Sequence, residues 1–257
     1  MTRTLFVAAR SAGSDAGVWA TVGKLTRDGD LYEFRYTKGA EKLAGVAPFP
    51  GMPDLSTVYR SKDLLPIFKN RLLSQRRPEY RAWLSWGGFD PDSIPDAMTM
   101  LSTLGSRRAA DSLELYTGPV RQPDGTAYSQ FFLHGVRHCQ HPDVLAGLKA
   151  GLKLSLRPES DNPVDRYAVA VEDTAQTQLG YVPRFLTIDI RFLIENCPNE
   201  LIVRIKEANY DAPMQYQILC ELEACWPKGF APCSGPDFEP VSALPDAGSV
   251  DNQKKAI

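Results

Sequence analysis

The chain has 257 residues, a length that fits one large or two modest domains. With 43% hydrophobic and 23% charged residues it can bury a core, which excludes a disordered polymer. Lys+Arg number 29 against Asp+Glu 31, a net charge of −2, which excludes gripping duplex DNA by bulk charge.

Leu5 to Ala9, between Arg3 and Arg10, is too short for the apolar core of a signal peptide and predicts a first strand. Val18, Ala20 and Val22 recur at period two, and Tyr32, Phe34 and Tyr36 line one face of the next run. Asp28-Gly29-Asp30 is a turn signal between them, so Val18 to Tyr36 predicts a hairpin. Pro48, Pro50 and Pro53 exclude regular structure between Ala40 and Ser56. Leu64, Leu65, Phe68, Leu72 and Leu73 fall at helical spacing, with Lys69, Arg71 and Arg76 off the stripe. Arg77-Pro78 stops that helix and opens a second, whose apolar face is Tyr80, Trp83 and Leu84. A third runs from Pro95 through Met98, Leu101 and Leu104 to Gly105. Leu113 to Tyr116 returns to strand, and the loop Gln122 to Gly125 marks the domain boundary.

The second half is again β-rich. Strands are expected over Ser129–Val136, Leu152–Leu156, Tyr167–Val171, Leu201–Ile205 and Ile218–Leu222, with a short helix over Val144–Leu148. Leu186, Ile190 and Leu193 stripe a helix opened by Pro183. The fold class is therefore α+β, mostly β: two small barrel-like domains with short helices, residues 1–126 and 127–226. Beyond Trp226, five prolines and little apolar content predict a disordered tail over 227–257.

The catalytic motifs are missing: no P-loop, no G-x-G-x-x-G after a strand, no G-x-S-x-G, no H-E-x-x-H and no kinase signature. The expectation is a protein that is not an enzyme and holds no cofactor. The five cysteines are scattered without C-x-x-C spacing, which suggests neither a disulfide framework nor a zinc ribbon. A reducing cytoplasm is the expected compartment, and no apolar run is long enough for a membrane span. All three histidines sit with a cysteine in His134, His138, Cys139 and His141. These are zinc-competent side chains, but a strand would turn Cys139 away from His134 and His138, so no metal is expected.

Two segments carry function. Between Arg60 and Arg81, seven basic residues face two acids, a local +5 that is either a solvated face or a track for phosphates. Arg76 and Arg77 are its densest point. The other segment holds Gly135-Val136-Arg137, Asp161-Asn162-Pro163-Val164-Asp165, Ala168-Val169-Ala170-Val171 and Leu179-Gly180-Tyr181-Val182-Pro183-Arg184. The Asn-Pro-x-Asp run predicts a turn whose Asn and Asp side chains bond their own backbone. With Arg137 and Arg184 nearby, a carboxylate, an amide and two guanidiniums suit a sugar hydroxyl beside a phosphate.

These spaced blocks resemble the HIRAN domain, an OB-like barrel of fork-remodelling DNA translocases and many bacterial proteins. The resemblance implies capture of the free 3′ end of single-stranded DNA. It gives Asp165 the terminal hydroxyl, gives Asn162 the preceding amide role, makes Arg137 the Arg of the first block, puts Arg184 against phosphate, and sets Tyr181 near the base or phosphate. Two aromatic positions of the DNA-end binders are Val164 and His138 here, and Asp161 adds a repelling charge. Between Phe131 and Glu195, seven basic residues meet eight acids, so the domain alone is a poor electrostatic funnel. Val22-Gly23-Lys24-Leu25, Phe34-Arg35-Tyr36 and Leu65-Pro66-Ile67-Phe68 resemble the N-terminal subdomain of HipA-type kinases, which is not their catalytic part. Arg107 to Asp111 is similar to a connector between such modules. The expected function is a cytoplasmic bacterial DNA-binding module for single-stranded 3′ ends or stalled or damaged DNA, with a protein partner at the HipA-like half. The alternatives are an antitoxin-like regulator without end binding, and a Mg²⁺-dependent nuclease using Asp161 and Asp165.

Overall fold

The computed structural model describes residues 3–11, 19–43, 48–105, 113–138 and 147–241. The Arg107–Asp111 connector, Cys139, His141, most of the helix expected over Val144–Leu148 and the chain beyond 241 lie outside them.

Two antiparallel sheets carry the fold. The first has five strands in the order β4-β3-β2-β1-β5: β1 (Arg3–Arg10), β2 (Trp19–Asp28), β3 (Leu31–Tyr36), β4 (Tyr59–Ser61) and β5 (Leu113–Tyr116). The β2–β3 hairpin forms as expected, with Asp28 paired to Leu31 across Gly29 and Asp30. Gly29 takes φ +56°, a left-handed conformation that glycine adopts without a Cβ clash. β1 is buried on both faces. Leu5, Val7 and Ala9 join Val22, Leu25, Phe34 and Phe68 in the N-terminal core. Ala8 joins the core of the second sheet, and Phe6 packs against that core. Alternation along one strand therefore feeds two cores.

The helices are short: α1 (Gly39–Lys42), α2 (Pro66–Lys69), α3 (Tyr80–Trp86), α4 (Ala97–Leu104) and α5 (Thr187–Asn196). The helix expected through Leu73 stops at Lys69, because the chain turns there to carry Leu72 and Leu73 to the cluster around α3. That turn also buries Arg71, whose Nη1 donates to the Gly105 carbonyl at 3.4 Å, so Arg71 does not belong to a solvated basic face. α4 bridges the cores: Met98 and Leu101 face the N-terminal cluster, while Met100 and Leu104 meet Tyr80, Trp83, Phe132, Tyr216 and Leu219. Each such fully buried side chain contributes about 1.5–3 kcal/mol.

Asp96 caps α4, its carboxylate accepting from Met98 N at 3.0 Å and Thr99 N at 3.4 Å. Arg3 pairs with the same carboxylate, and Arg27, the register partner of Arg3, lies 3.8 Å away. Partial burial works to raise the Asp96 pKa, but the bonds from Thr99 and Arg3 outweigh it and hold it below the usual carboxylate value of 3.8. A depressed pKa contributes stability that is present above the unfolded value and lost as pH falls through the folded one. Asp96→Ala is expected to cost about 1 kcal/mol at neutral pH and to shed that cost below about pH 3. Urea melts of both proteins across pH 2–7 check it, and a pH-independent difference contradicts it.

The second sheet has seven strands in the order β10-β9-β8-β11-β12-β7-β6. They are β6 (Val120–Arg121), β7 (Ala127–Phe132), β8 (Lys153–Pro158), β9 (Val169–Glu172), β10 (Gln178–Tyr181), β11 (Ile202–Ala208) and β12 (Ile218–Ala224). β6 already pairs with β7, so the chain passes between the sheets before Val120, and Gln122–Gly125 is the turn of that hairpin. Among the described residues neither sheet closes into a barrel, which corrects the barrel-like expectation. Alternation reveals strands but not whether the last one reaches the first. The second sheet does curl: His134, just past β7, exchanges both backbone hydrogen bonds with Tyr181 at the end of β10, at 2.9 and 2.8 Å.

The cysteines also depart from expectation. Cys197, at the end of α5, forms a disulfide with Cys225, just past β12, across a sequence separation of 28. No local spacing signals such a pair. The tail expected to be disordered from Pro227 is structured as far as Val241. Lys38 N donates to the Glu239 carbonyl at 2.8 Å and Val241 N to the Tyr36 carbonyl at 3.0 Å. Phe238 meets Phe6 edge-on at 5.3 Å. On the way, Cys233 N donates to Asp189 Oδ2 of α5 at 3.0 Å, and burial pushes the Asp189 carboxyl above its ordinary value. Among the described residues no helix is long and apolar enough to cross a membrane.

Candidate functional site

The turn after β8 is built as its sequence dictates. Asn162 Oδ1 accepts the backbone N–H groups of Val164 at 3.0 Å and Asp165 at 3.1 Å, and Asn162 Nδ2 donates to Glu159 Oε2 at 2.7 Å. Asp165 Oδ1 accepts from Tyr167 N at 2.9 Å. Its Oδ2 pairs with Arg184 Nε at 2.8 Å, and Arg184 Nη2 donates to the Val164 carbonyl at 3.1 Å. From α5, Arg191 Nη1 holds the Arg166 carbonyl at 2.8 Å. Two arginines thus hold the turn, and its tip, Val164, is 75% exposed.

Beside the turn lies a cavity of about 920 Å³. Arg137, Asn162, Asp165, Tyr181 and Arg184 all line it, so the structure brings these five sequence-picked residues together. Among the described residues Arg10, Arg137 and Arg184 line it together with the carboxylate of Asp165, to which Arg184 is paired. Tyr181 reaches Glu159 Oε2 with its hydroxyl at 3.3 Å. The backbone of His138 ends the turn of 3₁₀-helix that holds Arg137. Asp161 is exposed and is not part of the wall, so its charge stands outside.

Arg76 and Arg77 are exposed on the turn before α3 and do not line the cavity. The +5 stretch is weaker than its count. Arg60 Nε binds Glu33 at 2.8 Å and Arg81 Nη2 binds Asp92 at 2.9 Å, both acids lying outside the counted window, and Arg71 is buried. Burial works to raise the Glu33 pKa, yet Arg35 and Arg60 together hold it below its ordinary value.

His134 lines the cavity too, and its Nε2 lies 3.0 Å from Oε2 of buried Glu114 on β5, a link between the sheets. Among the described residues no group of three or more His, Cys, Asp and Glu is placed to hold a metal. Sequence reasoning missed Arg10 and Trp19. They come from the first sheet, and only the packing of β1 and β2 against the second brings them to this wall.

Residues 127–224 match the family model of the HIRAN domain, from the first residue of β7 to the last of β12. Among curated proteins there is no match. Two solved structures are similar to part of the chain. One is the HIRAN domain of human HLTF, 12% identical, covering 40% of this chain and 81% of that one at a TM-score of 0.32. The other is a Lactobacillus plantarum protein from a structural genomics consortium, 20% identical, covering 39% and 97% at a TM-score of 0.32. The family match stops short of the N-terminal half, whose HipA-like resemblance is left without support. Residues 127–224 of this chain are a HIRAN domain, backed by the five-stranded sheet of its N-terminal half.

Proposed function

We propose that the chain is a DNA-binding module that takes single-stranded 3′ ends into the cavity and performs no catalysis of its own. The observation that carries this is that Arg10, Arg137 and Arg184 line one cavity with Asp165. The guanidiniums suit phosphate, and an ionised carboxylate suits a terminal hydroxyl. Asp165 already accepts from Arg184 and Tyr167 N. A carboxylate has about four lone-pair positions, so acceptor capacity remains for a sugar hydroxyl.

Fluorescence-polarisation titration of labelled strands tests this. Strands with a 3′-hydroxyl are expected to bind more tightly than 3′-phosphate strands or blunt duplex. Asp165→Asn is expected to remove that preference and weaken 3′-hydroxyl binding by about 1.5–3 kcal/mol, the value of a charge-assisted bond. Equal affinity for hydroxyl and phosphate ends would sink the end-reading mechanism.

The same ion pair favours a second reading. If Asp165 serves only to pair with Arg184 and fix the turn, the chain is an interaction or regulatory protein whose N-terminal half meets a protein partner. Asp165→Asn would then lower thermal stability and leave DNA affinity untouched.

A further inference from the structure

The N-terminal sheet contributes a ring and a cation to the cavity wall. Arg10 and Trp19 form the terminal register pair of β1 and β2. Directly opposed residues of an antiparallel pair share a face, and both of these line the cavity. Trp19 is half-buried. Its ring stands 6.1 Å from Phe185 at 65° and 6.4 Å from His134 at 47°. Neither neighbour lies parallel to the indole, so neither stacks on it. The support behind is firm. Phe185 stacks on Tyr116 at 4.2 Å, and the Tyr116 hydroxyl shares a 2.6 Å hydrogen bond with Thr21, two residues along β2 from Trp19.

A braced indole, the guanidiniums of Arg10, Arg137 and Arg184 and the exposed apolar tip of Val164 line one cavity. That combination complements a flat uncharged ring joined to an anion, which is the chemistry of a nucleotide. We propose that Trp19 and Arg10 form a nucleotide subsite outside the HIRAN domain, the indole stacking on a base near the strand end and Arg10 meeting its phosphate. The subsite rests on the DNA-end reading above and deepens it. It supplies from the other sheet a base platform that Val164 does not offer.

The test uses the full chain and a labelled 3′-hydroxyl strand of about 10 nucleotides, within the range that single-strand-binding folds cover. Trp19→Ala is expected to weaken binding about 5- to 150-fold, the range for losing one stacked base. Trp19→Phe should keep most of the affinity. On a strand whose terminal residues are abasic, Trp19→Ala and the unaltered chain should bind alike. Arg10→Gln should flatten the slope of log K against log salt by about 0.7, one phosphate of a single strand. Trp19→Leu preserves apolar packing against Phe185, so the same loss in that variant separates stacking from a folding defect. Thymidine monophosphate as competitor reads the source of the nucleotide. Displacement only at far higher concentration than unlabelled strand supports a strand end, and displacement at equal concentration overturns it. Tight binding by the unaltered chain that ignores Trp19 overturns the subsite alone. No binding of any strand by the unaltered chain overturns the DNA reading and the subsite with it.

Discussion

Gly180→Ala is expected to destabilise the protein by about 1–3 kcal/mol. A Cβ at position 180 would lie 2.7 Å from the His134 carbonyl oxygen and 3.2 Å from Leu133 Cβ. The oxygen is backbone and cannot swing aside. It accepts from Tyr181 N at 2.8 Å, while His134 N donates to the Tyr181 carbonyl at 2.9 Å. Moving apart sacrifices both bonds, about 1 kcal/mol each, and staying put incurs the overpacking penalty of about 1–3 kcal/mol. His134 and Tyr181 both line the cavity, so the same variant should lose ligand affinity along with stability. A urea midpoint shift at constant slope is the measurement. An unchanged midpoint would mean that the bridge does not hold the curled sheet together.

Opening the Cys197–Cys225 disulfide is expected to cost about 3–4 kcal/mol, the chain-entropy value for a loop of roughly 30 residues. The bond ties the end of α5 to the end of β12 and encloses all of β11 between them. Cys197 is 2% exposed while Cys225 is only partly buried, so a reductant can attack from the Cys225 side, and the comparison is best made on fully reduced protein. Unfolding curves with and without reductant should separate for the unaltered chain and coincide for Cys225→Ser. Coincident curves for the unaltered chain would show that the loop is already confined by packing alone.

Local chemistry made half of this architecture readable. The β2–β3 hairpin, α3 and α4 follow from turn residues, apolar spacing and caps that act within a few positions. The Asn162–Asp165 turn is equally local, and its side chains bond the backbone as their types require. Arg184 was placed near it by the spacing of the motif blocks. What could not be read depends on distant pairing. Arg10 and Trp19 reach the cavity because β1 is buried on both faces, and a strand of Leu, Val and Ala residues gives no sign of what covers its second side. Arg60 and Arg81 counted as open charge until Glu33 and Asp92 came beside them through the fold. Curling without closure, and the pairing of two cysteines, likewise need the register of β7 against β10 and of α5 against β12.

The return of the C-terminal segment to the first sheet bears on how the protein is made. Tyr36 and Lys38 find their backbone partners in Val241 and Glu239, and the side chains of Lys38 and Glu239 meet across 201 positions. Those bonds cannot form while the partner residues are still within the ribosome. At about 5–20 residues per second the wait is about 10–40 s. Through that interval the edge of the N-terminal sheet around α1 is incomplete, with apolar Phe6 lacking the ring that later packs on it. Vectorial synthesis therefore delivers the amino-terminal half first yet supplies the last of its backbone partners only once Val241 has been made.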